Sequence, residues 1–139
     1  MGVNHKFGSI LLILSLLFAV NFTTNGWAMD VVGYKNISVD EFIGMMDHKD
    51  FILINVHVPY SGEIPKTDLL IPFHAIDQQK EKLPDDKNTK IVVYCMSGPM
   101  GYVAAEKLAA MGYRQVLHFQ GGMVSWKNAG NGLVNRPEF

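Results

Sequence analysis

Ile91-Val92-Val93-Tyr94-Cys95-Met96-Ser97-Gly98-Pro99-Met100-Gly101 reads as a strand that stops at a cysteine and turns through glycine and proline into a helix. Ile91 to Tyr94 is continuously apolar instead of alternating. Such a run suits a strand buried on both faces of a parallel sheet. Phe51-Ile52-Leu53-Ile54 has the same character. Working outward, Val31–Tyr34, Phe51–Val56, Leu69–Phe73, Ile91–Cys95 and Val116–Phe119 are the predicted strands. Helical patterns fall between them. Ser38 followed by Glu41 forms a capping box, and Val39, Phe42, Ile43 and Met46 repeat on one helical face. A weaker helix is predicted from His74 to Leu83, stopped by Pro84. Gly101 to Met111 carries Ala104, Leu108 and Met111 on one side, with Gly112 placed to end it. A short helix from Met123 to Lys127 follows Gly121-Gly122, and the Gly/Asn-rich stretch from Asn128 is expected to be loose. Strands alternating with helices predict an α/β fold: a mostly parallel five-stranded sheet with helices on both faces. Ligands of such sheets bind at the carboxyl ends of the strands, which is where Cys95 falls.

That position favours thiolate chemistry. Backbone N–H groups of a tight loop can curl around the sulfur, and the following helix presents the positive end of its dipole. Gly98 permits the turn without a Cβ clash. The same local pattern also suits a buried, inert cysteine, because free cysteine packs well in cores.

Composition narrows the function classes. The 139 residues fit one domain, and 48% are hydrophobic, enough for a core. Twelve Lys and Arg against thirteen Asp and Glu give a net charge of −1, without the basic excess that a nucleic-acid binder needs. Only Arg114 and Arg136 are arginine, which argues against a multi-arginine phosphate clamp. One cysteine excludes an intramolecular disulfide and a multi-cysteine metal cluster. His48 and His74 do not share a metal-ligand spacing, so no metal and no cofactor is expected. The methionines Met45, Met46, Met96, Met100, Met111 and Met123 are read as core filling and pocket lining ahead of a Cu(I) site.

The N-terminus looks like an address. Lys6 precedes the apolar run Ile10 to Val20, which is too short for an ordinary membrane span but suits a signal-peptide core. Gly26-Trp27-Ala28 places small residues for cleavage after Ala28. The expected organisation is a leader over 1–28, a domain over 29–127 and a tail over 128–139. The protein is then exported to the periplasm or the extracellular space, or anchored to a membrane if the leader stays uncleaved. Export would put an unpaired cysteine in an oxidising compartment, where it is notable as reactive.

From Val31 to Trp126 the chain resembles a single rhodanese domain, the sulfurtransferase fold. The resemblance rests on Ile91-Val92-Val93-Tyr94-Cys95, Ser97-Gly98, Ala104-Ala105, Leu108, Gly112-Tyr113, Val116, Phe119, Gly121-Gly122-Met123 and Trp126. Leu53-Ile54-Asn55-Val56-His57 and Gly62-Glu63-Ile64-Pro65 match more loosely. It implies that Cys95 takes sulfur from a sulfane-sulfur donor as a persulfide and hands it to a thiol or other nucleophile. The backbone and rim of the loop, Met96, Ser97, Gly98, Pro99, Met100 and Gly101, would hold the anionic sulfur. The resemblance implies as partners a small donor (a persulfide, polysulfide or thiosulfate) and a thiol acceptor, which a partner protein could carry.

The chain also departs from the family. Met96 and Met100 stand where the family often carries Arg or Lys. Asn55-Val56-His57 stands for Asp-Val-Arg, and Glu63 for histidine. A loop without fixed cations should bind dianionic thiosulfate poorly and suit a less charged or protein-borne sulfur, against a soft methionine rim. The phosphatases that share this fold use Cys-x5-Arg, but that arginine position is Gly101 here, so phosphatase chemistry lacks its cation. Asn55, His57 and Glu63 are the candidates around the loop. His57 could serve as an acid/base or charge partner, or be a plain loop histidine. Glu63 at a pocket mouth would repel anionic donors, or be a plain surface carboxylate. His118, alternating with core positions, is expected to be structural. The departures also keep open a second reading: a non-catalytic rhodanese-fold binding or regulatory module with a vestigial or redox-sensing Cys95.

Overall fold

The computed structural model describes residues 1–2 and 33–138. Beyond residues 1–2, the predicted leader and its cleavage point lie outside them. The described chain runs β1 (Lys35–Ile37), α1 (Val39–Asp47), β2 (Ile52–Asn55), β3 (Leu69–Leu70), β4 (Lys90–Tyr94), α2 (Pro99–Ala110), β5 (Gln115–Phe119) and α3 (Gly122–Asn128). The strands form one sheet in the order β1-β5-β4-β2-β3, with every neighbouring pair parallel. Among the described residues, no helix is long and apolar enough to cross a membrane.

The central strands are apolar on both sides because both sides are covered. Ile54, Val56, Ile91 and Val93 pack with Ala104, Ala105 and Leu108 of α2. Leu53, Val92 and Tyr94 pack on the opposite face with Phe42 of α1 and with Met123 and Trp126 of α3. Phe42 stacks on Phe119 at 4.3 Å between ring centroids, which ties α1 to β5. The predicted capping box is present: Glu41 N–H donates to Ser38 Oγ and Ser38 N–H donates to Glu41 Oε2.

Several elements differ from expectation. The first strand is Lys35–Ile37, not Val31–Tyr34; Val31 and Val32 lie outside the described residues, and Gly33 and Tyr34 are not in a strand. Its sequence is two-thirds polar because it is an edge strand, and only Ile37 is buried. β3 ends at Leu70, since Pro72 has no N–H to continue a ladder. The predicted helix from His74 to Leu83 is two separate 3-10 turns, Phe73–Ala75 and Lys80–Lys82, neither with a side-chain cap. The stretch beyond Asn128 is tied down. Trp126 Nε1–H donates to the Gly132 carbonyl, and Val134 pairs with Glu63 as an antiparallel bridge.

Candidate functional site

Cys95 follows β4 directly, at the carboxyl end of the sheet's middle strand. Its residue is only 1% exposed, so reagents must reach the sulfur through the loop that surrounds it. Gly98 N–H donates to Cys95 Sγ at 3.1 Å. Gly98 holds φ +138°, a conformation other residues rarely adopt, which turns its amide inward just before Pro99 starts α2. Ser97 and Pro99 are exposed, Met96 and Met100 half-buried, and Gly98 and Gly101 buried. The two methionines rest on opposite cores: Met96 on the α1/α3 side, Met100 on the α2 side.

The loop is stapled from behind by the first turn of α3, which lies outside the predicted site residues. Met123 N–H donates to the Cys95 carbonyl at 3.0 Å, and Val124 N–H to the Met96 carbonyl at 2.9 Å. These are free amides of α3's first turn. The approach is close enough that a Cβ on Gly122 would overlap the Cys95 carbonyl. The Gly121-Gly122 pair in the sequence was a usable signal for it.

Beneath the loop lies His118, 4% exposed. Its Nδ1 is 2.8 Å from Asn36 Oδ1, and its Nε2 is buried without a hydrogen-bond partner. A Cβ on Gly101 would sit 2.8 Å from the ring, so the first turn of α2 rests on it. Burial lowers the His118 pKa.

The other candidates divide. Asn55 is 2% exposed and spends its amide on backbone: Nδ2 donates to the Gly62 carbonyl, and Oδ1 accepts from His57 N–H. It shapes the turn after β2, and an aspartate could not make the first of these bonds. Val56 N–H continues the ladder to the Tyr94 carbonyl, which puts His57 one strand over from the cysteine loop. Burial lowers the His57 pKa, and its Nδ1 has no partner. His57 borders a cavity of about 260 Å³ that Tyr60, Pro72 and Lys82 also line. Glu63 is not at an open mouth. It is 6% exposed, and both its oxygens accept from Arg136 Nε, at 3.0 and 2.8 Å. The bridge to Val134 turns it toward that arginine, whose charge answers its own. The Tyr94 hydroxyl accepts from Ile64 N–H and bonds Thr67 Oγ1, holding the segment after Glu63 against β4. Burial pushes its phenol well above the ordinary range.

Residues 38–129 match the Rhodanese-like domain family. A protein named Sulfurtransferase from Allochromatium vinosum is 32% identical over 93 residues, which span 65% of this chain and 84% of that protein. Among solved structures, a rhodanese-like domain protein from Staphylococcus aureus superposes with a TM-score of 0.61 at 26% identity, over 73% of this chain and 99% of that one. The Bacillus anthracis protein CoADR-RHD superposes with a TM-score of 0.62 at 25% identity, over 73% of this chain. The match spans only 18% of that longer chain.

Proposed function

We propose, because this chain belongs to the rhodanese-like domain family, that it is a sulfurtransferase carrying sulfur as a persulfide on Cys95. The Cys95 thiolate attacks the outer sulfur of a donor R–S–S⁻; the new S–S bond forms as the donor's own S–S bond breaks, and RS⁻ leaves. An acceptor thiolate then attacks the outer sulfur of Cys95–S–S⁻. The acceptor departs as a persulfide and the Cys95 thiolate is restored. Neither step needs an outside oxidant or reductant, and one hard displacement is split into two.

The observation that carries this reading is the 3.1 Å bond from Gly98 N–H to Cys95 Sγ, made by an inward-turned loop at a strand end. Amides aimed at a sulfur supply fixed partial charge where an anionic persulfide has to rest. The half-buried Met96 and Met100 offer a soft rim and no cation, which favours a persulfide, a polysulfide or a protein-borne sulfur over thiosulfate. The leader pattern over residues 1–28 favours a compartment outside the cytoplasm for this chemistry, and N-terminal sequencing after expression in a secreting host should begin at Met29.

The near-complete burial of Cys95 favours a second reading, an inert cysteine in a binding module. Intact mass separates the two. The purified full chain and Cys95→Ser are exposed to polysulfide and, separately, to thiosulfate, then measured before and after dithiothreitol. A gain of about 32 Da that reductant reverses and that needs Cys95 supports the carrier, since two added oxygens would survive the reductant. No gain with either donor leaves the binding module. Loading without repeated turnover in the presence of thiol identifies a stoichiometric carrier.

A further inference from the structure

The cavity beside His57 is used by no step of the sulfur chemistry. It lies at the carboxyl ends of β2 and β3, the side of the sheet where ligands of parallel folds bind. Ile71 N–H donates to the Asn55 carbonyl and Phe73 N–H to the Val56 carbonyl, so the chain runs on past β3 beside the end of β2. It then returns in two single 3-10 turns, and Leu83, 5% exposed, anchors the second in the core. Separate turns cover this edge less fully than a helix would. About 260 Å³ stays open between the second turn and the strand ends. Part of the lining is apolar, from Leu70, Ile71 and Pro72.

The polar part of the lining is built of donors. Lys82 Nζ donates to Gln79 Oε1 at 2.7 Å, and both residues border the cavity. An ammonium can only donate, so this bond fixes which end of the Gln79 amide is oxygen. The amide N–H groups and the other ammonium hydrogens are left for water or a ligand. His57 Nδ1 is sealed from solvent without a partner, while Nε2 is not sealed. A stranded N–H is rarer than a stranded acceptor, which puts the ring hydrogen on Nε2. Asn55 has already given its amide to the Gly62 carbonyl. Among the described residues, no aspartate or glutamate lines the space. One ammonium, neutral donors beside it and an apolar wall match a single negative charge on an apolar body. We propose that this cavity binds a small organic monocarboxylate, with its oxygens at Lys82 and Gln79 and its hydrocarbon chain against Leu70, Ile71 and Pro72. The site goes beyond the sulfur-carrier reading and stands without it.

Hexanoate is titrated into the isotope-labelled full chain and followed through the side-chain nitrogen resonances of Gln79 and His57. Saturable shifts at both are expected, with a dissociation constant of about 1 mM for so small a contact set. Hexanamide keeps the shape without the charge, acetate keeps the charge without the chain, and sulfate has neither the shape nor the single charge. Each should bind about tenfold more weakly. Lys82→Met keeps the stem and should weaken hexanoate by about tenfold, and Lys82→Arg should return it to within about threefold of the parent. Lys82 is exposed, so melting temperatures should match the parent's. Equal affinity for hexanoate and hexanamide would overturn the proposal, as would an unchanged Lys82→Met or shifts that fail to saturate by about 50 mM. Sulfate or acetate binding as tightly as hexanoate would overturn the assignment of an apolar-bodied ligand. The titration uses no sulfur donor, and Cys95→Ser should bind hexanoate as the parent does, so the two readings fail separately. A chain that binds hexanoate but loads no sulfur keeps this site and loses the carrier function.

Discussion

Gly122→Ala should damage the Cys95 loop from a position that never touches substrate. Gly122 has φ +50°, and an added Cβ would overlap the Cys95 carbonyl, a backbone atom that cannot swing aside as a side chain would. Two costs follow. A non-glycine residue in the left-handed region is strained by about 1 kcal/mol. The first turn of α3 must also back away, stretching the bonds from Met123 N–H and Val124 N–H to the Cys95 and Met96 carbonyls. At about 1 kcal/mol for each bond, the whole comes to about 3 kcal/mol. Gly112→Ala isolates the first cost, because Gly112 has φ +91° with nothing within 4 Å of its added Cβ. For an m-value of about 1.5 kcal/mol/M, urea midpoints should fall by about 2 M for Gly122→Ala and about 0.7 M for Gly112→Ala. Polysulfide loading of Cys95, read by mass, should slow markedly in the first variant and stay at the parent rate in the second. Equal midpoints for the two variants, with Gly122→Ala loading normally, would refute the argument that α3 holds the loop.

Other outcomes follow from the same geometry. Arg136→Ala leaves the nearly buried Glu63 without its partner; such losses cost about 3–5 kcal/mol in full burial, and the 25% exposure of the Arg136 side chain trims this to about 2 kcal/mol in urea unfolding. A loss below about 0.5 kcal/mol would show that the segment around Arg136 is not held by this pair. Met96→Arg restores a cation beside the sulfur and should lower the thiosulfate concentration needed to load Cys95 by about tenfold, while polysulfide loading changes little; an unchanged thiosulfate response would sink the account of the rim. Stability should also fall in mild acid. His57 and His118 both have pKa values lowered from 6.5 by burial, so below pH 6.5 the unfolded chain binds protons that the folded one refuses. The contribution is intact above 6.5 and is lost as pH falls toward the lowered values; a melting temperature that is flat from pH 7 to pH 5 would contradict this.

The sheet was legible in the sequence wherever burial is two-sided. Ile91 to Tyr94 and Ile52 to Ile54 announce themselves because both faces are covered, and Ser38-x-x-Glu41 marks a helix start by its own hydrogen bonds. β1 is not legible, because Lys35-Asn36-Ile37 is held by backbone pairing to β5, and backbone pairing leaves no trace in side-chain pattern. The residues 74–83 carry apolar spacing without a cap, and they coil only in single turns. At the site, the cysteine and its glycine were legible because chemistry fixes both. Arg136 was not, since it acts on a residue far away in the chain, Glu63. Alternation made His118 look like ordinary core. Only its unmatched nitrogen sets it apart, and that is a property of the fold.

The order of the strands governs when this site comes into being. β5 is inserted between β1 and β4, so β1 has no sheet neighbour until residue 119 has been made. The amides that pin the cysteine loop come from residues 123 and 124, and the bridge that turns Glu63 away comes from residue 134. A ribosome or a translocation channel releases these segments after Cys95 has already emerged. Parallel pairing at such separations forms late, after loop closure has been met. During synthesis or passage through a pore, Cys95 is therefore a plain thiol on a mobile chain, with the reactivity of any other. The loop geometry around it arrives only when the trailing segments close over it, so the surroundings of the sulfur are completed last.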